Sequence, residues 1–179
     1  MSQHKEQQGY ITIVSNTTEV DYLSLAYVQA LNIKDTQKIN RYAVIIDKET
    51  ATLLTDKHRQ VFDYIIELSH DYNDPSSNWK LANEWQVFTH TPFKETIKLE
   101  SDLLFTRNIK HWMPAFRLRD VVLSTGCKNY FGHNSSIRKY RRLFDDNNLP
   151  DVYNGLMYFR FSQDAANFFE AAHYIQRNW

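Results

Sequence analysis

The chain has 179 residues, 42% hydrophobic and 15% aromatic, which suffices for the core of a single domain spanning residues 1–179. Lysine plus arginine and aspartate plus glutamate each total 21, so the net charge of zero excludes an overall field that would attract nucleic acid or an anionic membrane. The single Cys127 excludes an internal disulfide, and neither a signal-peptide core nor an apolar run of ~20 residues is found, so a cytoplasmic location is expected.

The first part of the chain predicts a βαβ unit. Residues 1–9 are expected to be flexible, and the β-rich run YITIV at 10–14 predicts the first strand. Thr18 and Asp21 have capping-box spacing, so a helix is expected to start there. The apolar run RYAVIID at 41–47 then predicts a second, buried strand.

The alternation of helices and strands continues along the chain. Apolar spacing predicts a helix over 50–62 and a short strand at 64–68. A polar loop leads to a predicted helix over 79–88 and a strand over 95–101. This order predicts an α/β fold with a mainly parallel central sheet flanked by helices.

Two acidic residues, Glu100 and Asp102, stand at the end of the strand predicted over 95–101. The carboxyl ends of parallel strands border the ligand crevice of open α/β sheets. On extended chain the two side chains would point the same way, about 7 Å apart at the backbone, and could share Mg²⁺ or Mn²⁺. A strand end with solvated acids is the other interpretation, and the spacing alone favours it.

Longer segments around these acids match a family pattern. TPFKETIKLESDLLFTRNI, beginning at Thr91, resembles the TPF, strand and Asp-x-Asp segment of glycosyltransferases with the nucleotide-diphospho-sugar transferase fold, called GT-A, including the glycogenin-like group. YNGLMYFRFSQDAANFFEAAHYI, at 153–175, resembles the family's NGGVLYFR strand and the helix after it. The resemblance covers about residues 10–175 and implies a GT-A fold and the metal-dependent transfer of a sugar from a UDP-sugar to an acceptor hydroxyl.

The resemblance also implies roles for particular residues. Glu100 and Asp102 would bind Mn²⁺ or Mg²⁺ on the donor diphosphate, and Lys80 would neutralise the donor phosphate, so Asp102 and Lys80 are the expected catalytic residues. Turn and capping chemistry is an equal interpretation of residues 15–17, and core packing is the alternative for Tyr22. The residues expected at the donor are Ser15, Asn16, Thr17, Tyr22, Ser101, Gly126, Asn154 and Gly155.

Two positions depart from the family pattern. Glu100 stands where the family usually has Asp, and its longer side chain would alter how the metal or the ribose is held. The Asn-Gly-Gly pattern is here Tyr153-Asn154-Gly155, so the amide lies one position late.

A local basic segment leaves the chemical identity of the acceptor open. Arg138, Arg141 and Arg142 cluster within residues 136–144, which suits phosphates of a donor, of DNA or of a partner, or an exposed basic helix face. Three functions follow: a metal-dependent glycosyltransferase, a non-catalytic sugar-nucleotide-binding or accessory domain, and a glycosyltransferase that acts on modified bases of DNA.

Overall fold

The computed structural model describes residues 6–74, 81–128, 131–133, 146–150 and 152–178. Within these ranges, six strands form one sheet in which the third strand along the chain lies at one edge and the fifth at the other. The strands are β1 (Glu6–Val14), β2 (Tyr42–Ile46), β3 (Tyr64–Glu67), β4 (Phe93–Leu99), β5 (Val121–Thr125) and β6 (Val152–Arg160), in the spatial order β3-β2-β1-β4-β6-β5.

The strand directions bring most strand ends to one side of the sheet. β1 is parallel to β2 and β4, and β2 is parallel to β3, whereas β6 is antiparallel to both β4 and β5. β5 therefore points the same way as β4, and β6 begins where the other strands end. We call this side the carboxyl edge, defined by the last residues of β1 to β5: Val14, Ile46, Glu67, Leu99 and Thr125.

Helices cover both faces of the sheet, so the expected α/β fold with a mainly parallel sheet is confirmed. One buried cluster joins a sheet face to the first helix, and the other joins the opposite face to the last helix. Among the described residues, no helix has the length and apolar character needed to cross a membrane. The helices are α1 (Tyr22–Gln37), α2 (Lys48–Ala51), α3 (Asp56–Val61), α4 (Val87–His90), α5 (Met113–Phe116) and α6 (Gln163–Asn178), with 3-10 turns at Glu84–Gln86 and Lys110–Trp112.

Two boundaries near the N-terminus differ from the prediction. β1 begins at Glu6, whose backbone N–H donates to the Pro92 carbonyl at 2.9 Å, so residues 6–9 pair with β4 instead of being flexible. The predicted capping box at Thr18 is wrong. Asp21 itself is the N-cap of α1, and its carboxylate accepts from the Ser24 N–H at 3.1 Å.

Two predicted helices are shorter than expected. The helix predicted over 50–62 is divided into α2 and α3, because the backbone N–H of Thr55 donates to Nδ1 of His58 and starts a new helix there. Where a helix was predicted over 79–88, the described residues from 81 onward form a 3-10 turn followed by α4. The buried Asn83 accepts from the backbone N–H of Tyr72 at 3.0 Å, which ties the start of this segment to the preceding loop.

Candidate functional site at the carboxyl edge

The chain turns immediately after β4. Residues 100–103 form a turn, closed by a hydrogen bond of 3.2 Å from the Leu103 N–H to the Glu100 carbonyl. We call these residues the acid turn. The extended geometry expected for Glu100 and Asp102 is therefore wrong, because both acids lie on the turn that begins directly after Leu99, the last residue of β4.

Gln29 of α1 holds the acid turn in place. Its side chain is fully buried, and its Nε2 donates to the carbonyls of Glu100 and Leu103 at 2.6 and 2.7 Å. Its Oε1 accepts from the Tyr42 hydroxyl at 2.8 Å. Sequence reasoning missed Gln29, although its helical spacing from the apolar Ala26 and Ile33 was a signal of burial.

The acid turn leaves carboxylate oxygens available. Glu100 is half-buried, and its Oε2 accepts from the Tyr153 hydroxyl at 3.0 Å. Asp102 is exposed and makes no hydrogen bond or ion pair with any residue that the structure describes. Both Asp102 oxygens and Oε1 of Glu100 can therefore accept from, or coordinate, a ligand.

Tyr153 is the side chain that connects the acid turn to β6. Burial, and then the negative charge of Glu100, raises the pKa of the Tyr153 phenol above its ordinary value, and Asp102 contributes in the same direction. The phenol therefore keeps its proton at neutral pH and donates a hydrogen bond to Glu100. Sequence reasoning placed Tyr153 in the motif but gave it no role.

A bulge in β6 sets the position of Tyr153. Leu123 pairs with Met157 but the next residue of β5, Ser124, pairs with Tyr153, so the intervening residues of β6 are unpaired with β5. Gly155 lies in this bulge, and a Cβ there would stand 2.1 Å from Cε1 of Tyr153. The absence of a side chain at 155 lets the Tyr153 ring occupy its place.

Asn154, the next residue of β6, makes contacts different from those of Tyr153. The side-chain amide of Asn154 donates to Oε2 of Glu84 at 3.3 Å. The backbone carbonyl of Asn154 accepts from Nζ of Lys98 at 3.3 Å. Lys98 is buried and forms an ion pair with Glu84. The structure thus groups Asn154 with this ion pair and not with the acid turn, and its donor contact stays a prediction.

The β1 loop, residues 15–17, uses its polar groups internally. Oδ1 of Asn16 accepts from the Leu23 N–H at 2.9 Å, and its Nδ2 donates to Asp21 at 2.9 Å. The Thr17 hydroxyl accepts from the backbone N–H of Val20 at 3.0 Å. These contacts are the turn and capping chemistry that was the alternative to donor binding.

Other predicted donor residues lie near the same edge. Ser15 is buried, and its hydroxyl accepts from Nδ2 of Asn73 at 3.4 Å. Tyr22 is the first residue of α1 and packs, half-buried, against the core on that face. Ser101 is buried within the acid turn, and Gly126 follows β5 with a left-handed φ of +61° that favours glycine.

Four of the predicted residues lie outside the described residues: Lys80, Arg138, Arg141 and Arg142. Their roles stay predictions, and so does a DNA acceptor that would rest on the three arginines.

The acid turn fits a hard divalent cation. Mg²⁺ and Mn²⁺ prefer oxygen ligands, and Mg²⁺ usually keeps several waters and takes one or two carboxylates together with substrate phosphates. Asp102 and Oε1 of Glu100 provide that kind of donor set. No group of three or more His, Cys, Asp or Glu suited to a metal occurs among the described residues, so water and ligand would complete the coordination.

Comparisons with known proteins give the fold. No protein-family profile and no curated protein matches the sequence. The crystal structure of mouse xyloside xylosyltransferase 1 is similar, with a TM-score of 0.52 and 11% identity over 95% of this chain and 74% of that one. The chain has the GT-A fold. At this low sequence identity, the structural similarity shows the GT-A architecture alone.

Two further similar structures have TM-scores below 0.5. A putative glucose-1-phosphate thymidylyltransferase from Bacillus anthracis gives 0.49 at 10% identity, over 92% of this chain and 83% of that one. The 4-diphosphocytidyl-2C-methyl-D-erythritol synthase from Anaerococcus prevotii gives 0.47 at 8% identity, over 97% and 76%.

Proposed function

We propose that this GT-A domain is a metal-dependent glycosyltransferase that moves a sugar from a nucleoside-diphosphate sugar, with UDP as the expected nucleotide, to an acceptor hydroxyl. The observation that carries the proposal is the acid turn, which presents Asp102 and Glu100 with free oxygens at the carboxyl edge, where open α/β sheets bind their ligands. The similarity to a xylosyltransferase supports the same class of reaction.

The proposed chemistry is charge stabilisation at the leaving group. The bond from the sugar C1 to the diphosphate breaks, a bond from the acceptor oxygen to C1 forms, and the proton of the acceptor hydroxyl passes to the departing diphosphate or to water. A bound Mg²⁺ or Mn²⁺ would offset the negative charge that develops on the diphosphate, more in the transition state than in the ground state. Asp102 and Glu100 would hold the ion, and Lys80 is the predicted second cation.

The residues around the acids would contribute orientation. The Tyr153 hydroxyl occupies one oxygen of Glu100 and restricts the rotation of this carboxylate. Gln29 fixes the backbone of the acid turn through two carbonyls, so the acids need little rearrangement when a ligand binds. A rigid, preformed turn lowers the entropic cost of binding.

A sugar-nucleotide-binding or accessory domain without transfer is the second candidate. The engagement of Asn154 with Glu84, away from the acid turn, favours it, because an amide expected at the sugar is already committed elsewhere. The two candidates share donor binding and differ in catalysis. Release of UDP from a UDP-sugar in the presence of an acceptor separates them.

Thermal shift measurements test donor binding directly. The panel contains UDP, GDP, CDP and several UDP-sugars, each with Mn²⁺ and with EDTA, because a ligand that binds the native state raises its apparent stability by mass action. We expect a shift with UDP compounds that requires Mn²⁺ and is lost in Asp102→Asn, whose side chain has nearly the same size. No shift with any nucleotide would overturn the proposal.

A further inference from the structure

A cavity of about 450 Å³ lies beside the acid turn. This volume is within the range of small-molecule sites, roughly 300–1,000 Å³. The wall is mainly apolar and partly aromatic, and it includes Leu103, Phe105, Trp112, Phe116, Val122 and Leu156.

One side of the cavity borders the candidate donor site. Tyr153 and Leu103 both line it, while the Tyr153 hydroxyl donates to Glu100 and Leu103 closes the acid turn. Ser124 also lines the cavity near Tyr153, since its hydroxyl donates to the Tyr153 carbonyl at 2.9 Å. The apolar space thus adjoins the acid turn through Leu103, and it adjoins Glu100 through the Tyr153 side chain.

The lining suits an apolar group better than a nucleotide or a diphosphate. Among the described residues of the wall, Arg107 is charged and none carries a carboxylate. A buried base or phosphate needs hydrogen-bond partners for its polar atoms, and burial without them is costly. Leu104 and Trp112 are 56% and 38% exposed, so apolar surface remains for a ligand to cover.

We propose that this cavity binds the aryl or alkyl group of an apolar acceptor, and that the acceptor's hydroxyl then lies at the acid turn next to the donor. The inference rests on the proposed function and adds the acceptor class to it. The aryl or alkyl body would fill the space between Trp112, Phe116 and Leu156, and the polar end would lie near Tyr153.

The first test compares two probes that differ only in the apolar group. Phenyl β-D-glucopyranoside and methyl β-D-glucopyranoside are titrated into the full chain with UDP and Mn²⁺, and binding is measured by calorimetry. We expect the phenyl glycoside to bind at least about tenfold more tightly, because burying a ring removes far more apolar surface from water than burying a methyl group. Equal affinities would overturn the inference.

Neighbouring residues of β5 offer a matched pair of variants. Val122 lines the cavity, whereas Val121 packs, similarly half-buried, against the buried cluster on the opposite face. We expect Val122→Phe to fill the cavity and weaken phenyl glycoside binding at least about tenfold, while Val121→Phe keeps it. Equal losses in the two variants would contradict the assignment.

A second variant tests the same cavity in case Val122→Phe does not fold. Trp112→Ala removes a partly exposed ring from the wall, and we expect it to reduce the preference for phenyl over methyl glycoside. A nucleotide shift without an aryl preference would overturn the cavity assignment alone. The opposite outcome is also possible: the phenyl glycoside is preferred, Val122→Phe abolishes that preference, and no nucleotide gives a thermal shift. This result would overturn the glycosyltransferase proposal and leave the cavity as an aryl-binding site.

Discussion

The β1 loop and the acid turn stand at the same edge of the sheet and are both rich in polar side chains, yet they use them in opposite ways. Asn16 uses its polar atoms in hydrogen bonds with the start of α1, and Thr17 bonds to the N–H of Val20 just before that helix. Asp102 makes no such bond with the described residues, and Glu100 gives one oxygen to Tyr153. Polar composition at a strand end therefore does not distinguish the two regions, whereas the acceptor atoms that stay free of protein partners among the described residues make the acid turn the better candidate for a ligand site.

The largest effect that distinguishes the two regions is expected from Asp102→Ala. Because Asp102 is exposed and unpaired among the described residues, its removal should leave the melting temperature without ligand nearly unchanged. Metal-dependent nucleotide binding should weaken by at least about a hundredfold, since the ion loses a charged ligand. Calorimetry of UDP with Mn²⁺ measures this, and full retention of metal-dependent binding would rule out Asp102 as a ligand.

Gln29→Leu should change both stability and binding. The substitution leaves the carbonyls of Glu100 and Leu103 and the hydroxyl of Tyr42 without their partner in a buried place. We expect a loss of about 3 kcal/mol in the free energy of unfolding, and weaker nucleotide binding because the acid turn is released. Urea unfolding measures the first quantity. Unchanged binding in a folded variant would show that the turn holds its shape without Gln29.

Asn16→Ala should act on stability first. The backbone N–H of Leu23 loses its acceptor, so we expect a loss of about 1 kcal/mol in the free energy of unfolding. Nucleotide binding, measured on the folded variant, should change much less than in Asp102→Ala. A strong loss of UDP binding with unchanged stability would contradict this contrast between the β1 loop and the acid turn. It would indicate that the β1 loop binds the donor.

The smallest expected effect concerns Asp21 and pH. The Ser24 hydroxyl, which donates to Asp21, lowers the pKa of this carboxyl below its ordinary value. Its charge therefore stabilises the fold above the ordinary pKa of about 3.9, and this stabilisation is lost as pH falls through the lowered folded pKa. Asp21→Asn keeps a capping side chain, so wild type should exceed it by about 0.5 kcal/mol at pH 7 and by less at pH 2.5. A difference that grows in acid would contradict this sign.

The sheet was predictable because its strands include short runs rich in β-branched residues. The run at 41–47 and the run at 64–68 contain β2 and β3, and the alternation with helices indicated a mainly parallel sheet. The position of Glu100 at the carboxyl edge followed from the same pattern. The helix lengths did not follow from this pattern, because the apolar spacing over 50–62 continues through the break between α2 and α3.

The details of the site depend on contacts between distant parts of the chain. The acid turn is held by Gln29, which lies 71 residues before Glu100. The bulge that follows Tyr153 in β6 depends on the pairing of β6 with β5. Because both contacts join residues far apart in the chain, the sequence predicted that the two acids stand at the end of a strand but not the geometry of the turn that carries them.

Gly155 illustrates how a residue without a side chain can constrain evolution at the site. A methyl group at 155 would overlap the Tyr153 ring and displace the hydroxyl that contacts Glu100. Mutational tolerance at 155 should therefore depend on the residue at 153: in a saturation library, position 155 should accept only glycine beside tyrosine and accept alanine once position 153 carries a small side chain. The two positions would then behave as one epistatic pair.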